Sequence, residues 1–277
     1  MLSPPKFFGI HAAPPNWLRW LLTVLPFALL LLIYGLASDA RQRENPSDKL
    51  LPPPAKMLEA MHRAAFEENA RTGEYQLWTD TGASLRRIGI GLGAAACCGL
   101  VLGLVLGLFA GMEFLLLPFV TFISIIPPLA VLPILFIVFG VDELAKVMLI
   151  FIGTFPVIAR DIQLTVKKIP REQIIKACTL GASQLSLACR IVLPQIMPRL
   201  IETVRMSLGP AWLFLIASEA IAATNGLGYR IFLVRRYLAM DLIIPYVLWI
   251  ALISVAADFC LRLLLRTRHA WYLDSQG

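Results

Sequence analysis

Residues 88–112 read IGIGLGAAACCGLVLGLVLGLFAGM, a run from Ile88 to Met112 without one Asp, Glu, Lys or Arg. A helix needs about 20 predominantly apolar residues to cross roughly 30 Å of hydrocarbon, and this run is longer than that. Phe114 to Val141 is a second uncharged run. A helix buried in a water-soluble core rarely stays apolar on every side over such a length. The whole chain agrees: 58% of its 277 residues are hydrophobic and 16% charged, against about 45–50% and about 25% in soluble domains. The fold class that follows is an all-α polytopic membrane protein.

Six membrane helices are expected, at 17–38, 87–111, 114–140, 144–166, 200–222 and 241–264. The first follows Lys6 and Arg19 and ends in Gly35, Ala37 and Ser38, a pattern shared with signal peptides. Its apolar run, Leu21 to Ala37, is longer than the roughly 7–15 residues of a signal h-region, which favours a retained span. Residues 39–87 balance eight basic against eight acidic residues, as a solvated excursion does. Within them Leu51-Pro52-Pro53-Pro54 is a stiff extended lead-in. A helix should follow, because Met57, Leu58, Met61, Ala64 and Ala65 recur at helical spacing.

Residues 160–199 carry seven basic residues against Asp161 and Glu172. The positive-inside tendency places that loop in the cytoplasm. Counting spans from it puts both termini inside, in keeping with Lys6 and with Arg262, Arg266 and Arg268, and residues 39–87 outside. The expected organisation is a tail and first helix at 1–38, an extracytoplasmic segment at 39–86, a core at 87–266 with a cytoplasmic loop at 167–198, and a tail at 267–277. The net charge of +7 comes from basic residues beside apolar spans, not from a stripe interleaved with aromatics, so nucleic acid is not an expected partner. Five cysteines with no CxxC spacing and no nearby His make neither a disulfide framework nor a metal site. Cys97, Cys98 and Cys260 lie in apolar runs, where a thiol acts as a small hydrophobe.

Four features carry chemistry or mechanics. Gly91, Ala95, Gly99, Gly103, Gly107 and Gly111 repeat every fourth position, a face suited to close helix packing in lipid. Gly89, Gly91 and Gly93 also mimic a dinucleotide pattern, which means nothing without a preceding strand. Pro118, Pro127, Pro128 and Pro133 punctuate the third span, each removing a backbone donor. Unpaired backbone at membrane depth survives only where protein or a watery cavity covers it, so the Ser124–Pro128 stretch is either a pathway wall or a bend made for packing. Glu219 and Asp258 sit in apolar surroundings, where carboxylates are functional suspects. Asp258 lies one turn before Arg262 and should pair with it. Glu219 has no partner in its own helix, so it either pairs with another helix or serves the pathway or gate. Thr224, Asn225, Gly226 and Gly228 follow it as a turn. Ser124, Pro127, Pro128, Glu219, Thr224 and Asn225 are therefore the pathway candidates. Enzyme signatures such as GxSxG, HExxH and the P-loop are missing from the sequence.

Lys176-Ala177-Cys178-Thr179-Leu180-Gly181-Ala182-Ser183, with Ile191-Val192-Leu193-Pro194 following at fixed spacing, resembles the "EAA" loop of binding-protein-dependent ABC importer permeases. Leu51 to Pro54, Ser84 to Arg87, Pro127 to Ala130, Phe139 to Glu143 and Ala222 to Tyr229 extend the resemblance, which is to the nitrate/sulfonate/taurine branch. It implies a type I importer core in which two permease copies form the pathway. Two ATPase subunits would carry ATP and Mg, with no cofactor on this chain, and an extracytoplasmic solute-binding protein would deliver solute. The ATPase-coupling residues it implies are Glu172, Lys176, Ala177, Gly181, Ala182, Ser183, Leu193 and Pro194. Gly181 permits a tight turn, and Pro194 should stop a helix. Lys176 departs from the pattern, which has Glu there. A secondary transporter or channel predicts an inverted repeat that the sequence lacks, and a membrane enzyme needs a convergent catalytic set it does not supply. The expected solute is small and polar.

Overall fold

The computed structural model describes residues 15–45, 48–69 and 73–274; the charge expected of Lys6 lies outside them. Its helices are α1 (Asn16–Glu44), α2 (Pro54–Phe66), α3 (Gln76–Leu108), α4 (Ala110–Ile125), α5 (Pro128–Phe139), α6 (Glu143–Lys167), α7 (Arg171–Thr179), α8 (Gln184–Leu187), α9 (Leu193–Ala222), α10 (Leu227–Arg235), α11 (Met240–Arg268) and α12 (Ala270–Asp274). Among the described residues five helical runs are long and apolar enough to cross a membrane, and α4 with α5, bent by 98°, makes a sixth if the pair is one span.

The bend has a local cause. Proline clashes with a helical residue before it, so Ile126 and Pro127 are both extended, with ψ of 123° and 119°. Pro128 then opens α5, where its missing N–H costs nothing. The expected single span 114–140 is thus two helices. The expected 87–111 span also differs, because helix begins at Gln76 and breaks at Phe109. Asp80, Ser84 and Arg87, read from the sequence as part of a solvated excursion, are helical and buried.

α3 packs along α6. A Cβ on Gly91 would meet Ile150, on Gly99 Ile158, on Gly103 Ile162 and on Gly107 Val166, at 2.5–2.8 Å. The constant sequence offset between these pairs means that the two helices run parallel and in register. Ala95, within the same stripe, is fully buried. Gly111 does not join them: it belongs to α4, beyond the break, and faces open space. Gly153 of α6 lies against the Phe214 ring of α9, so α6 is the central layer between α3 and α9.

Two ends of the bundle follow from this alignment. At one, Arg87 of α3 meets Glu143 at the start of α6. At the other, Glu113 at the start of α4 takes hydrogen bonds from Gln163 and Lys167 at the end of α6. α1 stands largely apart, with only Ser38 buried. The Ser38 hydroxyl donates to Leu51 O at 3.0 Å and that of Tyr34 to Pro52 O at 2.7 Å, which fixes the proline lead-in beside α1.

Candidate functional site

The segment resembling the coupling loop projects at the α6 C-terminal end. Pro170 caps α7, and α7 closes at Gly181, whose φ is +78°. The Gly181 N–H donates to Cys178 O and the Ala182 N–H to Ala177 O, both at 3.0 Å. This pair of bonds is the Schellman arrangement, which calls for a left-handed residue at the Gly181 position. Ala177 is buried against the bundle, and Gln195 Nε2 donates to Gln173 Oε1 at 3.0 Å. Ser183 then caps α8 through a 3.2 Å bond from the Ser186 N–H. Glu172, Lys176, Gly181 and Ser183 are exposed. Ile175, Leu180 (87% exposed) and Leu185 (74% exposed) leave apolar surface beside them.

Pro194 does not stop the helix. Gln184 to Ala222 is one continuous helical run, and a π-turn at Ala188–Val192 precedes the proline. In an α-helix Pro194 would press on the carbonyl four residues back. The wider π-turn, closed by the Leu193 N–H on Ala188 O, relieves that clash. Pro194 therefore follows a bulge within a long helix, with Leu193 half-buried beside it.

A polar cluster occupies the opposite end. Arg87, 2% exposed, uses all five of its donors. Its Nε and Nη2 bond the two oxygens of Glu143 at 2.6 Å. Its Nη1 bonds Glu219 at 2.7 Å and Asn225 O at 2.8 Å, and Nη2 also reaches Asn225 Oδ1 at 2.6 Å. Glu219, fully buried, also accepts from the Ser84 hydroxyl at 2.8 Å and the Gly228 N–H at 2.8 Å. Asp80 accepts from the Gly226 N–H at 2.9 Å and from Arg230 Nε at 2.8 Å. Lys146 pairs with Glu143 at 3.0 Å. Three carboxylates thus face three cations, so four helices (α3, α6, α9 and α10) meet through charges that cancel, with little desolvated charge left unpaired.

The Asn225–Gly228 turn fits around the Glu219 carboxylate. Gly226 has φ +119°, and a Cβ there would lie 2.5 Å from Glu219 Oε1. At Gly228 a Cβ would lie 2.9 Å from the Ile216 backbone. Glu219 and Asn225 are therefore brought together, with Thr224 exposed beside them. Ser124 and Pro127 sit on the exposed elbow of α4 and α5, with Pro128 half-buried, and the Ser124 hydroxyl donates to Thr121 O at 2.7 Å within its own helix. Asp258 pairs with Arg262 at 2.7 Å and, across helices, with Arg205 at 2.8 Å. Sequence reasoning missed Arg87, Ser84, Asp80, Glu143 and Arg230 as one unit. The available signal was the spacing of Asp80, Ser84 and Arg87, a polar stripe on one helix face leading into an uncharged run.

Known proteins resemble this chain over nearly its whole length. The family described as "Binding-protein-dependent transport system inner membrane component" matches residues 99–268. The taurine transport system permease protein TauC of Escherichia coli (strain K12) is 33% identical over 96% of this chain and 97% of its own length. The putative aliphatic sulfonates transport permease protein SsuC of the same organism is 32% identical over 91% and 94%. Among solved structures, an inward-facing form of the MetNI methionine ABC transporter aligns with a TM-score of 0.57 at 19% identity, over 68% of this chain and 95% of that one. At that identity the likeness speaks for the fold.

Proposed function

The chain belongs to the binding-protein-dependent transport system inner-membrane component family, a multi-pass inner-membrane ABC importer permease and a transport component rather than an enzyme, and from that premise we propose that it carries a small polar solute of the taurine, sulfonate or nitrate kind. It works as a dimer with a second permease copy. Two separate ATPase subunits bind ATP and Mg, and an extracytoplasmic solute-binding protein delivers the cargo. The supporting observation is the built surface at α7 and α8. A capped helix with Ile175, Leu180 and Leu185 left bare has no occupant among the described residues, and Gly181 opens onto free space beyond its chain neighbours.

Closure of the ATPases would push on α7. Because α8, the π-turn and α9 form one run, a push there moves α9 and the α6 packed on it as a unit. The loop at 167–198 lies in the cytoplasm on this reading, with both termini. Membrane complexes purified through a tag on this chain should contain an ATPase subunit. Gly181→Trp should still insert, because beyond its chain neighbours no described residue lies within 4 Å of the added Cβ and the strain of the positive φ falls on the end of α7 alone, yet abolish import. Import at the full rate by that variant, or labelling of a cysteine at position 181 only from outside the cell, would sink the coupling assignment.

A further inference from the structure

Where the apolar run of α11 ends, charged residues gather on one face. Asp258, Arg262 and Arg266 are spaced four apart, the spacing that stacks side chains along a helix. Arg205 of α9 stands across from them. Arg205 and Arg262 both turn their Nε to the same carboxylate, at 2.8 Å to Oδ1 and 2.7 Å to Oδ2 of Asp258. A guanidinium has five donors, and no hydrogen bond from the Nη groups of either arginine is seen among the described residues. Among the described residues Arg266 makes no ion pair. The three arginines and Leu265 line a pocket of about 340 Å³.

Among the described residues the balance around this pocket is three cations against one anion. Two other carboxylates among the described residues are occupied: Glu202 accepts from Arg199 at 3.4 Å and from Tyr272 at 2.8 Å, and Asp161 accepts from Arg199 at 2.7 Å. Beside the charged face runs an exposed apolar stripe of Val255, Phe259 and Leu263. Fork-shaped donors suit a phosphate's oxygens, and basic pockets between membrane helices hold anionic headgroups. An apolar stripe running from such a pocket toward the bilayer interior matches acyl chains.

We propose that this pocket binds the phosphodiester headgroup of an anionic phospholipid, with its chains along Val255, Phe259 and Leu263. Asp258 is the positioning residue that holds Arg205 and Arg262 with their free donors facing the phosphate. The test is native mass spectrometry of the purified full chain, offered phosphatidylglycerol or phosphatidylcholine of identical acyl chains. The wild type should retain phosphatidylglycerol preferentially, and the preference should fall about fivefold in each of Arg262→Gln and Arg266→Gln. Arg266→Gln breaks no ion pair among the described residues, so it should keep the wild-type unfolding temperature; Arg268→Gln, off this face, should keep the preference. Equal retention of the two lipids by the wild type overturns the proposal, as does a preference undiminished in both pocket variants. Competition by inorganic phosphate as strong as that by the lipid would mark a free-anion site and overturn the lipid assignment.

Discussion

Arg87 meets two carboxylates and an asparagine with a planar, five-donor group, and no other side chain offers that geometry. Lysine brings three donors on a flexible stem. Arg87→Lys should therefore leave buried acceptors unmet and cost about 3 kcal/mol, read as thermal unfolding in detergent. Arg86→Lys, on the exposed side of the same helix, should change stability by less than about 0.5 kcal/mol. Equal losses in the two would remove Arg87 from its central place. Gly226 tests the same cluster from the turn. Gly226→Ala meets both a positive φ and the Glu219 carboxylate, so it should destabilise strongly. Gly209→Ala, in helix with open space around it, should be neutral or slightly stabilising.

Helices reveal which small residues matter. Gly103 lies where a Cβ would press on Ala159 O and Ile162 at 2.7 Å, whereas Gly93, on the same helix, opens onto nothing within 4 Å. Gly103→Val should force α3 from α6 and sharply reduce the yield of folded protein, while Gly93→Val should be tolerated. Fluorescence-detected size exclusion would separate the two. α7 depends on backbone conformation instead of space. Gly181→Ala should cost about 1–2 kcal/mol of local stability because the position is left-handed, and Gly181→Asn less. Faster amide exchange confined to α7 in the alanine variant is the expected signature.

For the molecule as a whole, exposed apolar surface sets the expectation. Phe114, Phe119, Ile125 and Ile137 project from the α4–α5 elbow, and α1 buries almost nothing within the chain. Such surface faces lipid or a second copy, and the dimer proposed above predicts twice the 30.7 kDa protein mass in gentle detergent by light scattering. A strictly monomeric particle, with its ATPase present, would remove the dimer. By itself the sequence determined the membrane class, the approximate spans, the proline elbow, the α3 packing stripe and the glycine that ends α7. These rest on local properties: runs long enough for a bilayer, spacing on one helix face, and residues that force or forbid a backbone angle. Only the tertiary structure decided that Glu219 pairs with Arg87, 132 residues away, that the third span breaks by 98°, that Gly111 leaves the stripe, and that Pro194 follows a π-turn within a continuous helix. Each of these depends on which faces are brought together in three dimensions, and a linear pattern of hydrophobicity and charge leaves that pairing open.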